Sequence, residues 1–289
     1  MTTAIRNPIE WTLSTFRLAG IAVESAGRAL GGTHDAAPSA PLAVRRIDVA
    51  DLKDVLERGV EDFAAYRTDV VFLCVIYPVI GLILAKLAFS RDMLHLVFPL
   101  ASGFALVGPF AAVGLYELSR RREASAPVAW KDAFTVLHAP AFGKIVVLGA
   151  LLVAIFLVWI ATALGLYVLT LGPNPPASID AFARELFTTG AGWTLIALGI
   201  GAGFLFALLV LAIGTVSFPL LLDRDVSLGT AIGTSVRAME TNPRAMAAWG
   251  LIVAGSLVLG SIPLLLGLVF AMPVLGHATW HLYRKIVPR

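Results

Sequence analysis

The segment PLASGFALVGPFAAVGLYELSR at residues 99–120 returns later in the chain as PLLLGLVFAMPVLGHATWHLYR at residues 263–284. Six residues are identical at a constant offset: Pro99 and Pro263, Leu100 and Leu264, Gly103 and Gly267, Pro109 and Pro273, Leu118 and Leu282, and Arg120 and Arg284. A proline inside a helix removes one backbone hydrogen bond and clashes with the preceding turn. In lipid, neighbouring helices, hydroxyl groups or water must then satisfy the freed carbonyl. The repeat therefore predicts two similar proline-broken helices within a packed membrane bundle, in which these prolines and glycines have structural roles.

The composition is that of a membrane protein. Hydrophobic residues make up 58% of the chain and charged residues 14%, whereas a soluble domain has about half and about a quarter. The apolar residues gather into runs long enough to cross a bilayer core of about 30 Å. The predicted fold is an all-α membrane protein with six transmembrane helices, near residues 70–89, 93–118, 145–171, 193–222, 245–262 and 264–282.

An amphipathic segment precedes each pair of predicted spans. In the first, Leu52, Val55, Gly59 and Phe63 follow a 3.6-residue period, which is typical of a helix lying at the membrane interface. Its polar face is predicted to carry Lys53, Asp54, Glu57, Arg58, Glu61 and Asp62. The same spacing recurs at residues 228–239 and, more briefly, at 130–137. The chain thus reads as three repeats of interfacial helix plus transmembrane hairpin, at about residues 47–120, 127–224 and 226–285.

The segments before residue 44 are predicted to lie outside the membrane-spanning domain. Residues 1–30 read as an amphipathic helix rather than a signal peptide, because Arg17, Glu24 and Arg28 interrupt the apolar run. Residues 31–43 read as a flexible linker, followed by the transmembrane domain at 44–289.

The distribution of positive charge predicts the orientation. If the amphipathic segments and both termini share one side, that side holds all but three of the 22 lysines and arginines, the exceptions being Lys86, Arg91 and Arg184. Positive charge marks the cytoplasmic side of a membrane protein. We therefore expect a multi-pass protein of the bacterial inner membrane with both termini in the cytoplasm, where its basic residues attract anionic headgroups.

Candidate ligands are few. His277 and His281 are four residues apart and share one helix face, as two metal ligands on one helix must. Cysteine, aspartate and glutamate are missing from the neighbouring turns, so interfacial packing is favoured over a metal or haem site, with His138 the one other candidate ligand. No cofactor and no catalytic motif is predicted, so we expect a protein that is not an enzyme. Gly199 and Gly203 form a GxxxG pair, typical of close packing within the bundle or, alternatively, against another subunit.

Several short stretches carry a family resemblance. They are VRRI at residues 44–47, IYPVIG at 76–81, NP at 242–243, TW at 279–280 and YR at 283–284. Over roughly residues 44–287 the chain resembles a bacterial family of predicted integral membrane proteins of unknown function. The resemblance implies a polytopic inner-membrane protein and no particular activity. Automatic labels in that family sometimes name cytochrome c oxidase subunit I, but a haem-copper subunit needs more histidines inside its spans than His277 and His281.

Two classes of function remain open. The favoured one is a non-catalytic accessory, assembly or lipid-organising component, for which membrane lipids and subunits of a larger membrane complex are the expected partners. The alternative is a carrier or channel for a small neutral or amphipathic solute. Charge buried at mid-membrane is the usual mark of a proton or ion path, and none is predicted. Nucleic acid is not an expected partner, because acidic residues alternate closely with basic ones.

Overall fold

The computed structural model describes residues 42–74, 79, 81–83, 86, 94–106, 108–126 and 128–289. Within this part the chain forms helices and connecting turns, and no strand occurs among the described residues. The predicted N-terminal helix at 1–30, nearly all of the linker at 31–43 and most of the first predicted span lie outside the described residues.

The described helices follow one another through the whole chain. They are α1 (Asp51–Cys74), α2 (Val97–Leu106), α3 (Gly108–Ala111), α4 (Val113–Glu123), α5 (Phe142–Leu171), α6 (Ile179–Thr188), α7 (Gly190–Gly214), α8 (Ser217–Asp223), α9 (Leu228–Thr241), α10 (Pro243–Ser261) and α11 (Leu268–Ile286), with 3₁₀ helices at Leu94–Leu96 and Trp130–His138. Three of the described helical segments are long and apolar enough to cross a membrane: α5, the α7–α8 segment Gly190–Asp223, and α10.

Helices α4, α8 and α11 pack against one another at the centre of the described structure. Their contact buries large side chains, including Leu118, Phe218, Leu220, Trp280 and Leu282, each at most 1% exposed. Each of the three amphipathic segments packs beside one or more helices of a predicted second span. Helix α1 lies along α11, the 3₁₀ helix Trp130–His138 packs on α4, and α9 packs on α7 and α8.

The segment before α1 forms hydrogen bonds with the end of α11 and with the α9–α10 junction. The backbone N–H of Arg45 donates to the carbonyl of Ile286 at 2.8 Å. The side chain of Asn242, between α9 and α10, donates to the Arg45 carbonyl at 3.0 Å and accepts from the N–H of Ile47 at 2.7 Å. Lys285 then pairs with Asp51 in the first turn of α1 at 2.9 Å. These contacts set the start of α1 against the end of α11.

The repeated prolines occupy different positions in the two copies. Pro273 lies inside α11, as expected, and Pro109 lies in the short helix α3. Pro99 is the third residue of α2, a position where its missing N–H costs little. The expectation is wrong for Pro263, because α10 ends at Ser261 and α11 begins only at Leu268.

The turn that contains Pro263 is tight. Leu264 and Leu265 both have positive φ, at 51° and 67°. Gly267 closes this turn against Gly260, since a Cβ on Gly267 would lie 2.7 Å from the Gly260 Cα. A helix cannot continue through such backbone conformations, so this proline marks a connection between helices.

Two other segments depart from the sequence interpretation. The predicted span at 193–222 is divided between α7 and α8, with Thr215 and Val216 at the break. The hydroxyls of Thr215 and Ser217 donate to the carbonyls of Leu211 and Ile213, at 2.8 and 2.5 Å. The segment at 130–138 is a 3₁₀ helix rather than an α-helix.

Candidate functional site

A close contact between α1 and α11 positions the candidate site. A Cβ on Gly59 would lie 2.7 Å from the Ala278 Cβ and 2.8 Å from the Val274 carbonyl oxygen. Real side chains do not approach this closely, so only glycine permits this crossing. One turn further along α1, the side chain of Asp62 enters the space between α1, α4 and α11.

The Asp62 carboxylate is the centre of a buried hydrogen-bond network. Its Oδ2 accepts from the Ser119 hydroxyl at 2.5 Å and from His281 Nε2 at 2.9 Å. Its Oδ1 accepts from the Arg122 guanidinium at 2.5 Å. The Ser119 Oγ is also 2.8 Å from His277 Nδ1. Residues from three helices thus converge on one carboxylate whose side chain is 7% exposed.

The surroundings of Asp62 favour its ionised form. Burial raises the pKa of Asp62, but the hydrogen bonds from His281 and Ser119 lower it by more than burial raises it. The pKa of Asp62 therefore lies below the ordinary value of 3.8. A carboxyl group with a depressed pKa stabilises the fold at neutral pH and loses that contribution as the pH falls through its folded pKa. At neutral pH Asp62 therefore favours the ionised form that these hydrogen bonds require.

His277 is the most deeply buried member. Its ring is 0% exposed, Nδ1 contacts Ser119, and Nε2 is buried without any hydrogen-bond partner. Unpartnered buried nitrogens are rare in folded proteins and mark positions that need an explanation. The ring lies one turn after Pro273 in α11.

The structure brings together two of the three histidines singled out from the sequence. His277 and His281 both approach Asp62, at 4.0 and 2.9 Å from Oδ2. His138 is exposed in its 3₁₀ helix and is not part of this network. The turns next to these histidines contain no carboxylate, as the sequence analysis noted. Asp62, which is distant in sequence, nevertheless brings a carboxylate to both of them. Among the described residues, no group of three His, Cys, Asp or Glu side chains is arranged to hold a metal ion.

The prediction that Asp62 lies on the polar face of α1 is wrong. Two signals identify its position as buried. Leu52, Val55 and Gly59 precede it at spacings of three and four residues, and Leu52 and Val55 are at most 2% exposed. The corresponding position in the third unit is Ala238, which is 0% exposed. A carboxylate at this position implies a buried partner, since an unpaired buried charge is very costly.

Two open grooves flank the network. The first, here called the ion-pair groove, has a volume of about 830 Å³. It is lined by equal numbers of basic and acidic residues around Ile47, Ser119 and His281, namely Arg45, Arg46, Arg58, Arg122, Arg284 and Lys285 with Asp51, Asp54, Glu57, Glu61, Asp62 and Glu123. Asp62 and His281 are thus accessible from this groove, whereas His277 is not among its lining residues.

The second groove, here called the arginine groove, has a volume of about 540 Å³. Its lining contains five arginines against two acidic residues, together with Ala124, Ala126 and Trp280: Arg120, Arg121, Arg224, Arg284 and Arg289 with Glu123 and Asp223. The arginines come from the ends of α4, α8 and α11, and from the chain end that follows α11. The ends of three helices that pack against one another thus place these positive charges in one groove.

The two glycines of the GxxxG pair on α7, Gly199 and Gly203, have different surroundings. A Cβ on Gly203 would lie 3.3 Å from the Trp159 ring, so this glycine packs against α5. Gly199 has no atom of the described structure within 4 Å of such a Cβ. Leu198, Ile200 and Phe204 beside it are about half or more exposed. Packing within the bundle therefore accounts for Gly203 alone.

Comparison with known proteins agrees with a membrane protein. Residues 97–223 match a family model described as Predicted integral membrane protein (DUF2189). The predicted resemblance is confirmed. The matched segment runs from α2 to α8 and so lies between the stretches that carried the resemblance in the sequence. No curated protein and no solved structure matches the chain. The family is one of integral membrane proteins of unknown function, so it assigns no activity to the network or to either groove.

The close contact at Gly59 is testable by adding one methyl group. We expect Gly59→Ala to destabilise the protein by about 1–3 kcal/mol, because the new Cβ overlaps Ala278 and the Val274 carbonyl. Gly233→Ala is the matched control, since Gly233 lies in the corresponding amphipathic helix α9 and faces open space in the described structure. That control should be neutral or slightly stabilising. Thermal unfolding of both variants in detergent measures the difference, and equal stabilities would contradict the proposed crossing.

Removing the central carboxylate is expected to be more damaging. Asp62→Ala leaves Arg122, His281 and Ser119 without their acceptor, and breaking a buried ion pair costs about 3–5 kcal/mol. Asp225→Ala is the control, because Asp225 pairs with Lys144 but its side chain is 91% exposed. A surface pair of that kind contributes at most about 1 kcal/mol. Similar losses of stability in the two variants would show that Asp62 is not a buried structural centre.

Proposed function

We propose that this protein is a non-catalytic, lipid-organising component of the bacterial inner membrane, which binds anionic phospholipid headgroups in the arginine groove. In this proposal the chain crosses the membrane six times, with both termini and both grooves on the cytoplasmic side. The bias of lysine and arginine toward the side of the amphipathic segments supports this orientation.

The packing of the helices supports an arrangement of three repeats around a centre. The second-span helices α4, α8 and α11 contact one another, and each amphipathic segment packs on the second span of the preceding unit. The first segment, α1, follows the same rule by packing on α11 of the last unit, which closes the circle. A closed arrangement of this kind places the three basic helix ends side by side.

The five arginines of the arginine groove carry the proposal. Each guanidinium has several N–H donors in a fixed plane that matches phosphate geometry, and pairing with carboxylates does not use all of them. Arg120 and Arg121 pair with Glu117, and Arg121 also pairs with Asp132. Glu123 and Asp223 engage Arg284 at 3.1 and 3.2 Å, and Glu123 also engages Arg289 at 2.7 Å. The Arg289 side chain is nevertheless 73% exposed. The groove thus retains an excess of positive charge at the membrane boundary, where lipid phosphates are concentrated.

Binding of anionic lipid is expected to depend on the groove arginines. Each basic residue near an anionic membrane surface contributes about 1 kcal/mol, so the double variant Arg224→Gln and Arg289→Gln should bind phosphatidylglycerol about 30-fold more weakly. The measurement is titration of the purified protein in nanodiscs with fluorescent phosphatidylglycerol, compared with phosphatidylcholine.

A matched double variant controls for charge alone. Arg237→Gln and Arg244→Gln remove the same charge from α9 and α10, outside both grooves. We expect this control to bind phosphatidylglycerol within about twofold of the unchanged protein. Equal weakening in both double variants would reduce the effect to general surface charge and would contradict a specific site.

The alternative function, a carrier or channel for a small neutral or amphipathic solute, draws on a different observation. The ion-pair groove reaches inward to Asp62 and His281, next to the proline-containing helix α11. On this hypothesis Pro273 keeps α11 deformable, so Pro273→Ala should reduce solute flux into proteoliposomes several-fold. Pro263→Ala is the control, because Pro263 lies in a turn outside the helices. Undiminished flux in the Pro273 variant would exclude this version.

A further inference from the structure

The protonation state of the buried network follows from counting its donors. An ionised carboxylate can only accept hydrogen bonds, so Ser119, His281 and Arg122 must all donate to Asp62. A serine hydroxyl has one proton. Because that proton points to Asp62 across 2.5 Å, it cannot also point to His277.

The tautomer of His277 is thereby determined. Its Nδ1 lies 2.8 Å from the Ser119 oxygen, and this contact is a hydrogen bond only if Nδ1 carries the proton. In a neutral imidazole the other nitrogen is then unprotonated. With Asp62 ionised, His277 Nε2 is therefore a bare acceptor, which matches its position in the interior without a partner.

Protonation of Asp62 reverses the two hydrogen bonds that link it through Ser119 to His277. A protonated Oδ2 donates to the Ser119 oxygen, the serine hydroxyl then donates to His277 Nδ1, and the imidazole proton resides on Nε2. The distances of 2.5 and 2.8 Å suit both directions, since each joins two groups that can exchange the roles of donor and acceptor. The interior nitrogen changes from acceptor to donor.

The charged groups beside the Asp62–Ser119–His277 hydrogen bonds lie around Asp62 rather than around His277 Nε2. Asp62 comes from α1, Arg122 from α4, and His281 from α11 on the side of the ion-pair groove. Asp62 and Ser119 line that groove, where they are 5% and 1% exposed. The inner end, His277 Nε2, is 0% exposed.

We propose that His277, Ser119 and Asp62 form a hydrogen-bond relay through which the protonation state of Asp62, at the ion-pair groove, sets the tautomer of the buried His277. This role goes beyond lipid binding and uses none of the side chains proposed for it. Protonation of Asp62 is thereby read out as a change of His277 Nε2 from acceptor to donor. The relay occurs in the first and third units together, since Asp62 and Ser119 come from one and His277 from the other.

The change between the two states balances with one proton taken from acid in the groove. Asp62 Oδ2 gains that proton, the serine keeps one proton throughout, and the imidazole also keeps one, which resides on Nδ1 before the change and on Nε2 after it. The ring exchanges its proton with water, so that one N–H bond forms as another breaks, and no electron changes place.

Nitrogen NMR of ¹⁵N-histidine-labelled protein in nanodiscs tests the relay, because protonated and unprotonated ring nitrogens give separate resonances. His277→Gln assigns the signal of His277 among the five histidines. At neutral pH we expect the proton of His277 on Nδ1. In Asp62→Asn the side-chain amide donates to Ser119 as a protonated carboxyl would, so the proton should move to Nε2. Glu117→Gln is the control, because Glu117 is a buried carboxylate of α4 that bonds Arg120 and Arg121 instead.

Two results would overturn the relay. One is a His277 proton on Nε2 in the unchanged protein at neutral pH, and the other is an unaltered tautomer in folded Asp62→Asn. If Asp62→Asn fails to fold, Ser119→Ala decides the question, since it removes only the hydroxyl that links the two groups. The tautomer should follow Asp62 titration in the unchanged protein and become independent of it in Ser119→Ala. Identical pH dependence in both proteins would exclude the relay.

Discussion

The described structure depends on one buried carboxylate. Asp62 accepts hydrogen bonds from α4 and α11 while lying on α1, so it links three helices through a single charged group. A charge at this depth is tolerated only with complete pairing, which requires α1 to approach α11 within the distance that Gly59 permits. The crossing at Gly59, the position of Arg122 and the tautomer of His277 all follow from this requirement.

The first and third of the predicted units share a sequence pattern but differ at positions that form the polar network. Val113 and Glu117 of α4 correspond to His277 and His281 of α11, and Asp62 corresponds to Ala238. Each of these differences contributes to one polar network at the junction of the first and last units. At matched positions of the sequence pattern, His277 and Asp62 replace apolar residues and His281 replaces a glutamate, and these three side chains meet where α1 crosses α11.

Charge is distributed differently between the two grooves, although Glu123 and Arg284 line both. Opposite charges are balanced in the ion-pair groove, whose residues largely neutralise one another through pairs such as Lys285 with Asp51 and Asp54. The arginine groove has more guanidinium groups than carboxylates, because three basic helix ends converge there. The first arrangement suits internal structure and proton exchange with water, whereas the second suits an external anion. The two grooves thus have distinct electrostatic environments.

The amino-acid sequence by itself determined the membrane class, the helical content, the positions of α5, α7 and α10, and the resemblance to a family of predicted integral membrane proteins. These follow from local properties, since a run of apolar residues must satisfy its own backbone in lipid as a helix. Only the tertiary structure decided that Asp62 faces the interior, that Pro263 lies in a turn, and that His277 and His281 share a carboxylate. Residues 62 and 281 are brought together by helix packing, and the hydrogen bonds between them depend on distances that no local pattern encodes. The site is therefore a property of how the helices cross, which in turn depends on the one glycine that lets them touch.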